Sequence, residues 1–149
     1  MDNAELILKL TSLAQLDVDA VDVYREALAR TTDEDVRKNF ERFQGEHEYH
    51  STKLLDAVVA LGAPRPEPKV DLLGHVADLV TSLRSRSGTK GALHALLTAE
   101  RYHNSRYDAA AAWDVGDVEI AAQLGTFRDD ERRHLEFVEM RLGETGETP

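Results

Sequence analysis

The chain has 149 residues, the size of one domain, and its formal net charge of −10 disfavours nucleic acid and anionic membrane surfaces as partners. Apolar residues make up 42% of the sequence and charged residues 31%, which is typical of a folded globular protein. The absence of Cys excludes disulfides, thiolate metal sites, iron–sulfur clusters and a Cys nucleophile.

The sequence predicts an all-α fold, because Ala, Leu, Glu and Arg abound and no segment alternates apolar and polar residues as a half-buried strand would. We expect the capping-box pair Thr31 and Glu34 to start the second helix, and Gly62 and Pro64 to follow its end. The predicted tail, 143–149, is flexible. Four long helices and a shorter one in the crossover between the second and third are predicted within a domain of residues 1–142: 3–29, 35–61, 71–84, 89–114 and 117–142.

In the first helix, steps of three and four residues trace an apolar stripe that the carboxylate of Asp17 interrupts at mid-height. In the second helix, His47 and His50 interrupt the stripe in the same way. The short crossover helix carries apolar residues at helical spacing, so we expect it to pack across the bundle: Leu72, Val76, Leu79 and Leu83.

The last two long helices repeat this feature. Glu100 interrupts the stripe of the third long helix, and Glu131 and His134 interrupt that of the fourth. A single buried His is most often a hydrogen-bonded core residue. An unpaired buried carboxylate costs several kcal/mol, however, so ionisable groups at mid-height on four helices can compensate one another only at a shared site.

The two halves of the chain share one pattern. Asp17 precedes Tyr24 by seven residues, and Glu100 precedes Tyr107 by seven. In each half, a pair of ligand-type residues three positions apart follows on the next helix, where both can face one ion or two neighbouring ions. We therefore predict a metal site at which both halves meet: Asp17, His47, His50, Glu100, Glu131 and His134.

These residues resemble the ligands of the ferritin-like superfamily, in the bacterioferritin and rubrerythrin type of di-iron carboxylate protein. That family takes one Glu from each of two helices and a Glu-x-x-His motif from each of the other two. Segment 130–134 matches this motif, and segment 16–24 is similar to the first helix of bacterioferritins, with Asp17 in place of Glu. The second motif departs from the family, since His47 stands where Glu is expected.

The resemblance implies a four-helix bundle of two hairpins around two iron ions, with manganese or zinc as alternatives. It also implies iron(II) oxidation or redox chemistry on dioxygen or peroxide. Asp17 and Glu100 would then be terminal ligands and Glu131 a bridge, with His47 capping one side.

Three further choices stay open at this level. Glu46 is the alternative to His47, and His103 is an alternate ligand for which a place at the rim is expected. Tyr24 and Tyr107 are interpreted either as core residues with satisfied hydroxyls or as hydrogen-bond and electron donors beside the ligands.

The rival hypothesis is a non-enzymatic bundle that contains a mononuclear structural metal site or a buried polar network. A homodimer and a larger iron-storage shell are both compatible with the sequence. The N-terminus lacks the basic and apolar segments of a signal peptide, and no apolar run approaches the roughly 20 residues that span a bilayer, so we expect a cytoplasmic protein.

Overall fold

A computed structural model describes residues 1–71, 74–86 and 88–144. This part of the chain is all-α, with no strand, as the sequence predicts. Its five helices are α1 (Asn3–Leu28), α2 (Glu34–Ala60), α3 (His75–Ser85), α4 (Gly88–Ala111) and α5 (Val118–Glu144). Leu72, which the sequence places in the crossover helix, lies outside the described residues.

The capping-box prediction for α2 is wrong. The N-cap is Asp33, whose carboxylate accepts a hydrogen bond from the Val36 backbone N–H at 2.9 Å. The Thr31 hydroxyl donates instead to the Ala27 carbonyl at the end of α1. Asp is as good a cap as Thr, and a shift of two residues in the connection decides which side chain reaches the free N–H groups.

Gly62 ends α2 with φ +95°, a backbone conformation that strains residues with a Cβ. The Ala63 N–H reaches back to the Val58 carbonyl and the Gly62 N–H to the Val59 carbonyl, at 3.3 and 2.9 Å. This pair of bonds is the Schellman motif, which satisfies carbonyls left free at a helix end.

The predicted end of α4 is three residues too late. The Ala112 and Trp113 N–H groups bond three residues back, so the chain tightens into a turn after Ala111. Asp117 then accepts from the Glu119 and Ile120 N–H groups and starts α5. Helix α5 includes positions 143 and 144 of the predicted tail, and positions 145–149 lie outside the described residues.

The helices pack mainly in sequential pairs, α1 with α2 and α4 with α5, and further contacts join α1 to α4 and α2 to α5. Helix α3 lies against α1 and α4, and it buries Val76, Leu79 and Leu83 as its spacing predicts. Two apolar clusters fill the bundle, one around Phe40 and one around Leu10. Within the described part of the chain, no helix combines the length and apolar character needed to cross a bilayer.

Candidate metal centre

A layer of buried ionisable side chains lies between the two apolar clusters. We call these residues the polar cluster, and each is at most 2% exposed: Asp17, His47, His50, Glu100, His103, Glu131 and His134. Four helices supply them, because in each helix the stripe that forms the apolar core passes through the ligand positions at mid-height. The structure therefore brings together all six side chains that the sequence predicts as ligands.

The polar cluster contains two sets of side chains whose ligand atoms lie within 4.8 Å of one another. One set is Asp17, His47, His50 and Glu131, and the other is His47, Glu100, Glu131 and His134. Each set holds four oxygen or nitrogen donors, a number that suits iron, manganese or zinc.

The two sets share Glu131, which offers one carboxylate oxygen to each. Its Oε1 lies 3.4 Å from Nδ1 of both His47 and His50. Its Oε2 faces the other way, 3.9 Å from Nδ1 of His134 and 3.8 Å from Nδ1 of His103. This is the arrangement of a carboxylate placed between two cation positions.

His47 is the other shared residue, and it lies between the two sets rather than to one side. Its Nδ1 is 2.8 Å from Oδ1 of Asp17, and its Nε2 is 3.9 Å from Oε1 of Glu100. Glu46, the sequence-level alternative, lies outside the polar cluster with 23% of its side chain exposed. The helical phase therefore directs His47, and not Glu46, inward.

The outer nitrogens of two histidines are held by carboxylates from the opposite hairpin. His50 Nε2 lies 3.0 Å from Oδ2 of Asp130, and His134 Nε2 lies 2.5 Å from Oε2 of Glu46. Arg133 donates to both carboxylates, at 2.7 Å to Asp130 and 3.2 Å to Glu46. We call Glu46, Asp130 and Arg133 the outer clamp.

The outer clamp determines which ring nitrogen can bind a metal ion. Despite partial burial, hydrogen bonds from His50 and Arg133 lower the pKa of Asp130. The pKa of Glu46 falls to about 2 despite partial burial, mainly through its hydrogen bond to His134. Both groups are therefore carboxylates, which only accept hydrogen bonds. The Nε2–H groups of His50 and His134 donate to them, and Nδ1 of each ring faces the polar cluster.

Two buried tyrosines hold the carboxylates across the bundle. Tyr107 donates from α4 to Oδ2 of Asp17 on α1 at 2.5 Å, and Tyr24 donates from α1 to Oε1 of Glu100 on α4. Burial and the neighbouring carboxylates raise the pKa of both phenols well above 10, so both remain protonated donors. The hydroxyls are satisfied, as the core interpretation predicts, but each tyrosine binds the carboxylate of the other half.

Several buried polar atoms of the polar cluster have no hydrogen-bond partner. Within the described residues these atoms are Nε2 of His47, Nδ1 of His50, His103 and His134, Oε2 of Glu100, and both carboxylate oxygens of Glu131. Buried polar groups without partners are rare, because each forfeits its hydration. These atoms belong to carboxylates and imidazole rings, which are metal ligands once the rings have lost the protons they carry here, so the residues present fit a metal pair.

Without a metal ion, the charges of the polar cluster compensate one another. Burial alone would raise the pKa of Asp17 and Glu100, but hydrogen bonds to the histidines lower both to about 2. Burial would lower the pKa of His50, but Asp130, Asp17 and Glu131 raise it to about 10. Burial would also lower the pKa of His47, but the charge of Glu131 and the hydrogen bond to Asp17 raise it. Metal binding must therefore displace protons from these rings.

The sequence predicts His103 at the rim, and this prediction is wrong. The residue is buried on the inner side of α4. Its ring centroid lies 5.2 Å from that of His47. Burial lowers the pKa of His103, so its ring is neutral. The side chain also lines a cavity of about 180 Å³ enclosed by α1, α3 and α4.

Sequence reasoning missed the outer clamp. A signal was present, since an acidic residue directly precedes each ligand pair: Glu46 before His47, and Asp130 before Glu131. It also missed Asn104, whose amide donates to the backbone carbonyls of Glu100 and Glu131 at 2.9 and 2.8 Å. Asn104 thereby ties α4 to α5 at the level of the polar cluster.

Comparison with known proteins identifies one protein family that the chain matches. No curated protein and no solved structure matches the chain. Residues 5–113 match a family described as a domain of unknown function, DUF2383. The match contains Asp17, His50 and Glu100 and ends before α5. Because it covers more than two thirds of the sequence, the chain belongs to the DUF2383 family.

Proposed function

We propose that this protein is a ferritin-like helical bundle that binds two redox-active metal ions, with iron as the expected metal. The proposed activity is the oxidation of iron(II) by dioxygen or peroxide. The observation that carries the proposal is the convergence of buried nitrogen and oxygen atoms without hydrogen-bond partners on two overlapping sets of four residues. The pairing of α1 with α2 and of α4 with α5 supports the ferritin-like arrangement.

The two sets suggest a role for each side chain. Asp17 and His50 are the ligands that belong to one set only, and Glu100 and His134 belong to the other only. Glu131 is the proposed bridge, because its two oxygens face different sets. His47 is proposed as a further ligand between them, since a ring nitrogen faces each side.

The proposed ligands would hold two iron(II) ions, whose two electrons, with two protons, would reduce hydrogen peroxide to two waters or dioxygen to hydrogen peroxide. The chain's residues prepare the site for this chemistry. The outer clamp orients the His50 and His134 rings, and the two tyrosines hold the terminal carboxylates. The apolar clusters on both sides keep bulk water away from the layer.

The charge of the proposed ligand set predicts two unequal binding steps. Asp17, Glu100 and Glu131 carry three negative charges, against four positive charges on two divalent ions. Because His47 replaces a carboxylate that the ferritin-like pattern expects, the second ion should bind more weakly than the first.

An anaerobic titration with iron(II), followed by exposure to air or peroxide, tests the proposal. We expect two equivalents of iron to bind in two steps and both to be oxidised. His134→Ala should lower the bound metal to about one equivalent, because one set loses a donor that belongs to it alone. His94→Ala is the matched control, since His94 is not part of either set. The proposal is contradicted if the wild-type protein retains no metal and His134→Ala does not change its stability.

A mononuclear structural site is the second candidate. The hydrogen bond between Asp17 and His47 favours it, because a protonated His47 could take the place of one cation in the metal-free protein. Binding of one equivalent without oxidation on exposure to air would favour this candidate over the redox centre.

A further inference from the structure

The cavity between α1, α3 and α4 reaches the polar cluster from the surface. Its volume is about 180 Å³, and its outer part is polar, with Asp19 and Arg106 among the lining residues. The rest of its wall is apolar: Leu16, Ala20, Val23, Val76 and Leu79. A cavity of this size accommodates a molecule of two heavy atoms, since one water occupies about 30 Å³.

His103 connects this cavity to the polar cluster. It lines the cavity, and its Nδ1 lies 3.8 Å from Oε2 of Glu131. That Nδ1 is buried without a hydrogen-bond partner, and the side chain is only 3% exposed. Among the described residues, His103 is the one that both lines the cavity and belongs to the polar cluster.

The opposite side of the bundle is closed. There, between α2 and α5, Arg133 bridges Glu46 and Asp130, and these carboxylates cover the outer nitrogens of His134 and His50. A solute that approaches from this side meets an ion-paired surface. The His103 side offers a preformed opening instead.

We propose that this cavity is the access route by which a small uncharged oxidant, dioxygen or hydrogen peroxide, reaches the metal centre, with His103 at its inner end. The proposal rests on the proposed function, because it names the class of substrate and its route to that site. The apolar wall carries the choice of an uncharged molecule. The carboxylates of Asp19 and Asp71 lie in the outer, more exposed part of the cavity, so a divalent cation would lose hydration along the apolar inner wall without gaining ligands there. Dioxygen loses almost no hydration on the same path, and hydrogen peroxide, because it is uncharged, loses far less than the cation.

Ala20→Leu tests the route, because the larger side chain fills the cavity from α1 while leaving every proposed ligand in place. The matched control is Ala57→Leu. Ala57 lines a separate cavity of about 270 Å³, none of whose lining residues belongs to the polar cluster. Ser12→Trp is a second blocking variant, because Ser12 is exposed at the rim and a ring added there needs no space in the core.

The first measurement uses metal-free protein. Crystals pressurised with xenon report whether an uncharged apolar atom enters, since xenon binds dry apolar cavities. We expect xenon next to Ala20 in the wild-type protein and in Ala57→Leu, but not in Ala20→Leu. No xenon in the wild-type cavity overturns the route for dioxygen and leaves the proposed function standing, and the oxidation rates with peroxide decide the peroxide route separately.

The second measurement uses protein loaded with iron(II) and mixed rapidly with peroxide or with dioxygen in separate runs. Ala20→Leu should slow oxidation about tenfold, equivalent to about 1.4 kcal/mol in barrier, and Ser12→Trp should slow it in the same direction. The amount of bound iron and its rate of uptake should stay unchanged, and Ala57→Leu should match the wild type. Slowing with only one of the two oxidants identifies that oxidant as the one that uses the cavity.

Two results overturn the access route. If iron-loaded Ala20→Leu and Ser12→Trp are oxidised as fast as the wild type, the oxidant reaches the metal centre by a different route. Slower iron uptake with normal oxidation shows that the cavity conducts the cation instead. Failure of the wild-type protein to bind iron overturns the proposed function, and the xenon measurement still reports separately on the cavity.

Discussion

At the residue scale, the outer clamp lies outside the polar cluster but determines the protonation of two histidine rings within it, His50 and His134. Glu46 and Asp130 each precede a ligand pair on one hairpin and accept a hydrogen bond from the histidine of the other. A carboxylate that accepts from Nε2–H fixes the tautomer and increases the basicity of Nδ1. In the proposed metal centre, the outer clamp would therefore make both Nδ1 atoms better metal ligands.

Glu46→Gln and Asp130→Asn should weaken metal binding about 10- to 100-fold, the usual effect of losing a carboxylate partner of a ligating histidine. An amide can also donate a hydrogen bond, so it no longer fixes the tautomer. The measurement is a competitive titration against a metal-sensitive dye. Glu48→Gln and Asp129→Asn are matched controls, because both side chains are exposed neighbours outside the polar cluster. Equal affinities in variant and control would show that the outer clamp has no role in metal binding.

Tyr24→Phe and Tyr107→Phe should each destabilise the metal-free protein by about 1.5–3 kcal/mol, because each removes the hydroxyl that donates a hydrogen bond to one oxygen of a buried carboxylate. Urea denaturation monitored by circular dichroism measures the effect.

Tyr49→Phe provides the control for these variants. Tyr49 is 55% exposed, so the same loss of a hydroxyl should change the free energy of unfolding by no more than about 0.5 kcal/mol. A change of similar size in all three variants would mean that the buried hydroxyls do not support Asp17 and Glu100.

At the element scale, helix α2 contains one glycine, Gly45, that its backbone does not require, and Gly62, just after its end, is one that the backbone does require. Gly62→Ala should lower stability by about 1 kcal/mol, because φ +95° is strained for a residue with a Cβ. Gly45→Ala should raise stability by about 0.5–1 kcal/mol, because Gly45 lies within the helix, is exposed and has open space around its Cβ position. Thermal unfolding measures both, and a loss of stability in Gly45→Ala would contradict this view of α2.

The same helix shows how far local signals predict an element. Its stripe from Val36 to Val58 follows directly from three- and four-residue spacing, because a helix that packs on a core must be apolar along one face. Local signals do not determine its first residue. Thr31 and Asp33 are both good caps, and only the geometry of the connection decides that Asp33 reaches the Val36 N–H.

At the scale of the whole molecule, a charged layer separates two apolar clusters. We therefore expect the metal-free protein to lose stability both at low pH and at high pH. The pKa of Asp17 falls to about 2 from 3.8, so its contribution is complete above about pH 4 and is lost as the pH falls through about 2. The pKa of His50 rises from 6.5 to about 10, so its contribution is complete below about pH 6.5 and is lost as the pH rises through about 10.

We therefore expect the metal-free protein to be most stable between about pH 4 and 6.5, and to weaken on either side. Urea denaturation with a chelator present, repeated across this range, measures the profile. His50→Gln should flatten the alkaline limb, since it removes the group whose proton is lost. Saturating metal should also reduce the alkaline loss, because the ion replaces the proton on the ring. An alkaline limb of equal slope in His50→Gln would show that His50 does not cause it.

The sequence by itself determined the helices, the buried stripe of each and the ligand-type residues that interrupt the stripes. It did so because helical periodicity and the cost of burying an unpaired charge are local properties of the chain. Only the tertiary structure decided which partners these residues have. The pairing of Tyr107 with Asp17, the bond between Glu46 and His134, and the burial of His103 beside a cavity depend on how helices distant in sequence pack. No single helix contains that information, because each contact joins two of them.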